Sequence, residues 1–286
     1  MKKIIAILLA LTFVCCFAAC GKTTTDDPAN DAEKIQGVED GVLTVAMECA
    51  YAPYNWSQTD DSNGAVPIKG TSEFANGYDV MMAKKICEAN GWELEVVRLD
   101  WDSLIPAVQT GQIDAVIAGQ SMTAEREEQV DFAGPYLYAS IVCVALKDSD
   151  AAKATKLADL SGMSCTSQLS TIWYDTCLPQ IEDADIKPGK ESAPAMLMAL
   201  ETGDVDFICT DMPTAQAAVQ AYDDMVILDL GDEAFEVDAG DINIGVSLQK
   251  GNTALKDAIN SVLTPMTADD FNAIMADAIK TQPVGA

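Results

Sequence analysis

Short apolar runs with strand spacing alternate along this chain with segments of helical period. Residues 41–47 alternate like a strand and lead into Glu48-Cys49-Ala50-Tyr51-Ala52-Pro53-Tyr54-Asn55-Trp56, a loop aromatic enough to pack on a core, line a site, or both. Asn63-Gly64 is a hairpin-turn signal. Over residues 79–90, Met82, Ala83, Ile86 and Cys87 share one helical face, and Gly91 closes the helix. A strand over 92–99 follows, then Trp101 and a helix ending at Thr110-Gly111. The run Ile113-Asp114-Ala115-Val116-Ile117-Ala118 is too short for a buried helix and reads as an interior strand that stops at Gly119; Thr123 caps the next helix. The pattern then restarts with strands over 140–146 and 163–168, and Leu169-Ser170-Thr171-Ile172-Trp173 enters a helix. Another helix opens near Ser192 with Pro194 in its first turn, and strands over 225–230 and 242–248 flank an acidic crossing segment. Two helices finish the chain, the second opened by the capping box Thr267-Ala268-Asp269-Asp270. Such alternation predicts an α/β fold of parallel βαβ units.

The restart carries an internal echo. Ala107-Val108-Gln109-Thr110-Gly111-Gln112-Ile113-Asp114 is matched 92 residues later by Ala199-Leu200-Glu201-Thr202-Gly203-Asp204-Val205-Asp206, a helix ending at Thr-Gly and a strand beginning at Ile/Val-Asp in each. Two similar lobes follow, with residues 40–139 and 241–286 in lobe 1 and 140–240 in lobe 2. Aligning the strand ends places Asp211 where the first copy has Gly119. Ligands of open α/β sheets bind beyond the carboxyl ends of the strands, so Gly119, Ser121 and Arg126 are expected to face Thr171 and Asp211 across a cleft.

The first residues read separately. Met1-Lys2-Lys3 before the apolar run 4–19 has the charge and length of a secretory signal, too short to span a bilayer. Phe17-Ala18-Ala19-Cys20-Gly21 resembles a bacterial lipobox, with Phe17 in place of the usual leucine. Residues 1–19 would then be a lipoprotein signal peptide, Cys20 the lipidated mature N-terminus, and residues 20–39 a flexible tether poor in large apolar groups. With 17 basic and 45 acidic side chains the chain carries a formal charge of −28, which weighs against nucleic acid as a partner. Cys49, Cys87, Cys143, Cys165, Cys177 and Cys209 are widely spaced without a CxxC; they read mainly as small buried hydrophobes, with their pairing left open. No histidine occurs, which removes Ser-His-Asp and Cys-His catalysis and His-ligated metals, so no metal and no cofactor are expected.

Arginine is rare: Arg98 and Arg126 stand against fifteen lysines. Arg126 falls in a helix's first turn, where the macrodipole favours carboxylates and a cation needs a separate reason. A guanidinium can clamp a carboxylate with two parallel hydrogen bonds; the alternative is an ion pair with Glu125, Glu127 or Glu128. Across the cleft Asp211, ahead of Pro213, is either a helix cap or a partner for an ammonium. Together the two would hold a small zwitterion.

Across almost its whole mature length the sequence resembles the bacterial family 3 solute-binding proteins of amino-acid ABC transporters. The resemblance rests on Tyr51-Ala52-Pro53-Tyr54, Gly77-Tyr78-Asp79-Val80, Trp101 with Leu104-Ile105-Pro106, residues 113–126, Gln168-Leu169-Ser170-Thr171 and residues 206–211. It implies a type II periplasmic-binding-protein fold, two Rossmann-like lobes joined by a two-strand hinge. It also implies a membrane-anchored, extracytoplasmic monomer that catalyses nothing and hands a free amino acid to an ABC permease. Residue by residue, it implies that Arg126 holds the α-carboxylate with the backbone N–H groups of Ser121 and Thr171. Asp211, the Gly119 carbonyl and the Ser121 hydroxyl would hold the α-ammonium, Tyr51 and Trp101 would sandwich the side chain, and Glu48 would meet its far end. A carboxylate between two rings suits a cationic or polar side chain, although Glu48 also reads as a solvated acid in an acidic protein. The sequence departs from the family at Gln120, Ser170 and Ile172-Trp173, where apolar, glycine and polar residues respectively are usual. Two rivals remain: a dehydratase-like enzyme on the same fold with Glu48 or Asp211 as general acid, and a sensory protein that presents its ligand to a receptor.

Overall fold

The strand Val42–Met47 is almost wholly buried, as its run of apolar residues requires, and lies inside a five-stranded sheet. The order across that sheet is Glu93–Arg98, Val42–Met47, Ala115–Val116, Asn243–Leu248, Asp131–Tyr138; the first three run parallel and the last two join antiparallel. A second five-stranded sheet follows the order Asp185–Ile186, Ser164–Thr166, Phe207–Asp211, Ile141–Leu146, Met225–Ile227, again parallel at first and antiparallel after. The structure, a computed structural model, describes residues 35–231 and 234–283, so the expected signal peptide, Cys20 and most of the tether lie outside the described residues. The end of the expected tether belongs to the folded body: Val38 is buried, and the Gln36 side chain donates to Gln249 Oε1 at 2.9 Å.

The internal echo is reproduced bond for bond. Thr110 Oγ1 donates to Pro106 O at 2.9 Å and Thr202 Oγ1 to Met198 O at 2.8 Å, and Gly111 and Gly203 take φ of +69° and +73°. Each following aspartate then anchors a neighbouring strand: Asp114 accepts from Thr44 N and Asp206 from Ser164 N, both at 2.8 Å. The strands Ala115–Val116 and Phe207–Asp211 are thereby fixed beside Val42–Met47 and Ser164–Thr166, and their carboxyl ends reach Gly119 and Asp211. Between the sheets the chain crosses twice, and the crossings are tied where Ala139 N donates to Ile242 O at 2.8 Å.

Several elements differ from expectation. The eight-residue strand Asp131–Tyr138 has no alternating signal, because Gly134-Pro135 reads as a turn. It survives as the edge of its sheet, where a register shift against Ile244 and Val246 leaves residue 135 without a ladder partner to donate to. The segment entered after Thr171 is a five-residue π-helical turn, Trp173–Cys177, and Asn63-Gly64 sits in the 3-10 turn Ser62–Gly64. All six described cysteines are buried and unpaired in the structure.

Candidate functional site

Thr123 accepts the Arg126 N–H at 3.2 Å and opens the helix Ala124–Gln129. That cap places Arg126 beside the strand end it follows, and Nη1 donates to Ser121 O at 2.9 Å. Nη2 reaches across to Ser170 O at 3.0 Å, and the guanidinium carbon lies 5.3 Å from the centre of the Trp101 ring. Burial pulls its pKa down to about 10, against the opposing pull of Glu125, Asp241 and Asp175, so the group stays cationic at neutral pH. Among the described residues no ion pair joins it to Glu125, Glu127 or Glu128. Ser170 adopts a left-handed conformation that favours glycine, with φ of +57°, and its carbonyl also accepts from Trp101 Nε1 at 3.3 Å.

Gly119 has φ of +65°, and a Cβ there would lie 3.0 Å from Tyr51 Cε1 and 3.1 Å from Tyr54 Cδ1. The two tyrosine rings stack at 4.7 Å over that gap. Their hydroxyls pass to the other sheet: Tyr54 donates to Asp211 Oδ2 at 2.5 Å and Tyr51 to the same oxygen at 3.5 Å, while Thr214 Oγ1 donates to the Tyr51 hydroxyl at 3.1 Å. Asp211 Oδ1 caps its helix by accepting from Thr214 N at 3.0 Å, the first of the two sequence readings of this residue. Burial raises the Asp211 pKa, opposed by the hydrogen bonds from Thr214 and the tyrosines.

Tyr51, Trp101, Gly119, Ser121, Arg126 and Thr171 border one narrow cavity whose accessible space is about 10 Å³, roughly that of a single water molecule. Gln168, Ile172 and Trp173 complete its wall. Asp211 and Glu48 do not border it: Asp211 lies beyond the Tyr51 hydroxyl and Glu48 beyond the Gln168 amide. Sequence reasoning missed Tyr54, Gln168 and Trp173 as site residues. Trp173, noted only as an oddity after Thr171, is nearly buried with its ring 6.4 Å from Tyr51. On its other flank Arg126 borders an open depression that includes Asp102, Glu125, Asp175 and Asp241.

Glu48 is 7 % exposed; its Oε1 accepts from Gln168 Nε2 at 3.4 Å, and its Oε2 has no partner. Burial pushes its pKa up to about 8; the Gln168 bond opposes this, and Asp79, Asp100 and Asp102 add to it. The folded state therefore holds a proton that the unfolded chain releases, and this contribution to stability is complete below about pH 4.5 and lost as pH rises through about 8. Glu48→Gln is expected to stabilise the protein by on the order of 2 kcal/mol more at pH 8.5 than at pH 5, read as the difference in melting temperature. An equal shift at both pH values would contradict a protonated Glu48.

Residues 43–279 match the family described as bacterial extracellular solute-binding proteins, family 3. A probable histidine-binding protein of Campylobacter jejuni is 28% identical over 228 residues, 79% of this chain and 80% of that protein. Among solved structures, an amino acid ABC transporter substrate-binding protein from Streptococcus pneumoniae bound to L-arginine superposes with a TM-score of 0.72 at 25% identity, covering 85% of this chain and 97% of the other. An ancestral amino acid-binding protein, a precursor of cyclohexadienyl dehydratase, superposes at 0.67 with 25% identity over 85% of this chain and 96% of its own. The sheets and their crossings form the type II periplasmic-binding-protein fold, and the chain belongs to the bacterial extracellular solute-binding proteins, family 3.

Proposed function

We propose that this protein is the extracytoplasmic amino-acid-binding component of an ABC importer, a monomer anchored through a lipidated Cys20. The amino acid sits between a lobe of residues 40–139 and 241–286 and a lobe of residues 140–240, and is delivered to the permease. One observation carries the reading: the Arg126 guanidinium, the Tyr51 and Trp101 rings, the strand end at Gly119 and, from the other half, Thr171, all expected from the sequence, border a single cavity. Arg126, with the Ser121 and Thr171 N–H groups, takes the α-carboxylate. Asp211 takes the α-ammonium together with Gly119 O and Ser121 Oγ, which requires the ammonium to share Asp211 with the tyrosine hydroxyls. Tyr51 and Trp101 flank the side chain. The acids near Arg126 favour a cationic side chain, in keeping with the histidine and arginine named for the relatives.

A thermal-shift screen of the chain from residue 35 onward against the twenty amino acids, ornithine, citrulline and cystine tests this. A ligand at 100 times its dissociation constant adds about 2.7 kcal/mol, which is expected for cationic amino acids first. No shift with any of them, in protein freed of carried-over ligand, overturns the reading. A second reading, a dehydratase-like enzyme, draws on Glu48 being protonated near neutral pH and thus fit to act as a general acid. Turnover of prephenate-like acids by the purified protein would establish it; unchanged acids leave binding alone.

A further inference from the structure

Gln168 follows the strand Ser164–Thr166 and is 2 % exposed, yet its side chain borders the cavity between the sheets. Its backbone is fixed on both sides: Lys190 N donates to Ser167 O at 2.9 Å, Leu169 N to Lys190 O at 2.8 Å, and Thr171 Oγ1 to Gln168 O at 2.7 Å. Its side-chain Nε2 donates across the halves to Glu48 Oε1 at 3.4 Å, and among the described residues no group donates to its Oε1. Among the described residues Glu48 is the one side chain that Gln168's amide engages, and it is itself short of a partner at Oε2.

We propose that Gln168 is the residue that reads the end of the ligand's side chain, with Glu48 acting through it as a positioning group. The inference rests on the amino-acid-binding reading above. An ionised carboxylate can only accept, so it holds the amide N–H₂ toward itself and turns the amide oxygen to the cavity. In that state the wall selects a side chain ending in hydrogen-bond donors, a guanidinium or an ammonium. A protonated Glu48 is itself a donor; the amide oxygen then faces Glu48 and the N–H₂ faces the cavity, which selects a side chain ending in a carbonyl.

The groups around Glu48 make this exchange reachable. Asp79 from the helix Tyr78–Asn90, and Asp100 and Asp102 from the turn ahead of Leu104, are all acidic. Arg98, at the end of the adjoining strand, is engaged with Glu73 instead. With no cation to stabilise its charge, Glu48 titrates near pH 8. The side-chain preference of the site is thus coupled to that titration, and a cationic ligand in turn favours release of the proton.

L-Arginine and L-citrulline have side chains of the same length and differ in ending in a guanidinium or a ureido carbonyl. Calorimetry with both, from pH 6.5 to 8.5, on the wild type, Glu48→Gln and Gln168→Met tests the proposal; the α-groups, common to both probes, cancel in the ratio of their dissociation constants. For the wild type that ratio is expected to move at least about fivefold toward arginine as pH rises. In Glu48→Gln it becomes independent of pH, and in Gln168→Met it stays within about twofold of unity throughout. A flat ratio in the wild type overturns the proposal, and so does a wild-type pH response in Gln168→Met. Wild type that binds neither probe but does bind another amino acid overturns this inference and leaves the transport reading standing; wild type that binds no amino acid overturns both. Because Glu48→Gln is isosteric, it decides the question even where Gln168→Met melts early.

Discussion

Arg126→Ala is expected to weaken amino-acid binding at least about a hundredfold, beyond ready detection by calorimetry, while the protein still melts as a folded body. The substitution strips the α-carboxylate of its charged partner, and truncating one member of a hydrogen-bonded charge pair costs about 2–5 kcal/mol. Micromolar binding is worth only roughly −8 kcal/mol in all, so a loss of about 3–5 kcal/mol, the upper part of that range, leaves a dissociation constant between about 0.1 and 5 mM. Folding survives because the interactions Arg126 makes within the protein are two bonds to carbonyls and one contact with Trp101, all near the surface of the cleft. Arg126→Lys separates charge from geometry: it keeps a cation but loses the fork that bonds Ser121 O and Ser170 O together. Intermediate affinity is expected for it, and near-normal affinity in Arg126→Ala would remove the carboxylate role altogether.

The sequence made that site readable to the extent that local rules determine it. The Thr123 cap, the stop at Gly119 and the Asp211 cap are short-range signals, and the helix-turn-strand echo translated them into matching positions in two sheets. Once the strand ends were known, their convergence followed from how open α/β sheets are built. What stayed hidden depends on partners far along the chain. Tyr54 meets Asp211 across a sequence gap of 157 residues and Gln168 meets Glu48 across 120, and neither has a periodic or turn signal to announce it. Glu48 itself was placed at the ligand's far end, but the structure puts the Gln168 amide between it and the cavity. The strand Asp131–Tyr138 was invisible for a different reason: sheet-edge position and a register shift, both tertiary facts, excuse its proline.

The most damaging substitution lies outside the cavity wall. Asp79 is wholly buried at the start of the helix Tyr78–Asn90, where the helix dipole supports its charge. Its Oδ2 accepts from Asn55 Nδ2 at 2.8 Å and its Oδ1 from the Tyr136 hydroxyl at 2.7 Å. Each partner passes the constraint on: Asn55 Oδ1 accepts from Cys49 N at 2.7 Å, and the Tyr136 hydroxyl accepts from Gly119 N at 3.0 Å. One carboxylate therefore sets both the aromatic loop that carries Tyr51 and the strand end at Gly119. Asp79→Ala leaves a buried amide and a buried phenol without acceptors, at about 1–3 kcal/mol each, and adds a cavity. A loss of about 4 kcal/mol is expected, a fall of roughly 10 °C in melting temperature for a body of this size. Ligand affinity should fall with it although Asp79 borders no part of the cavity. Asp79→Asn does not rescue the network, because an amide must aim its own N–H₂ at one of the two donors, and turning Asn55 to accommodate it would break the bond from Cys49 N. Hydrogen exchange at Cys49 and Gly119 provides the check. If either variant melts like the wild type with both amides still protected, the loop and the strand end are held by packing, and the carboxylate is incidental.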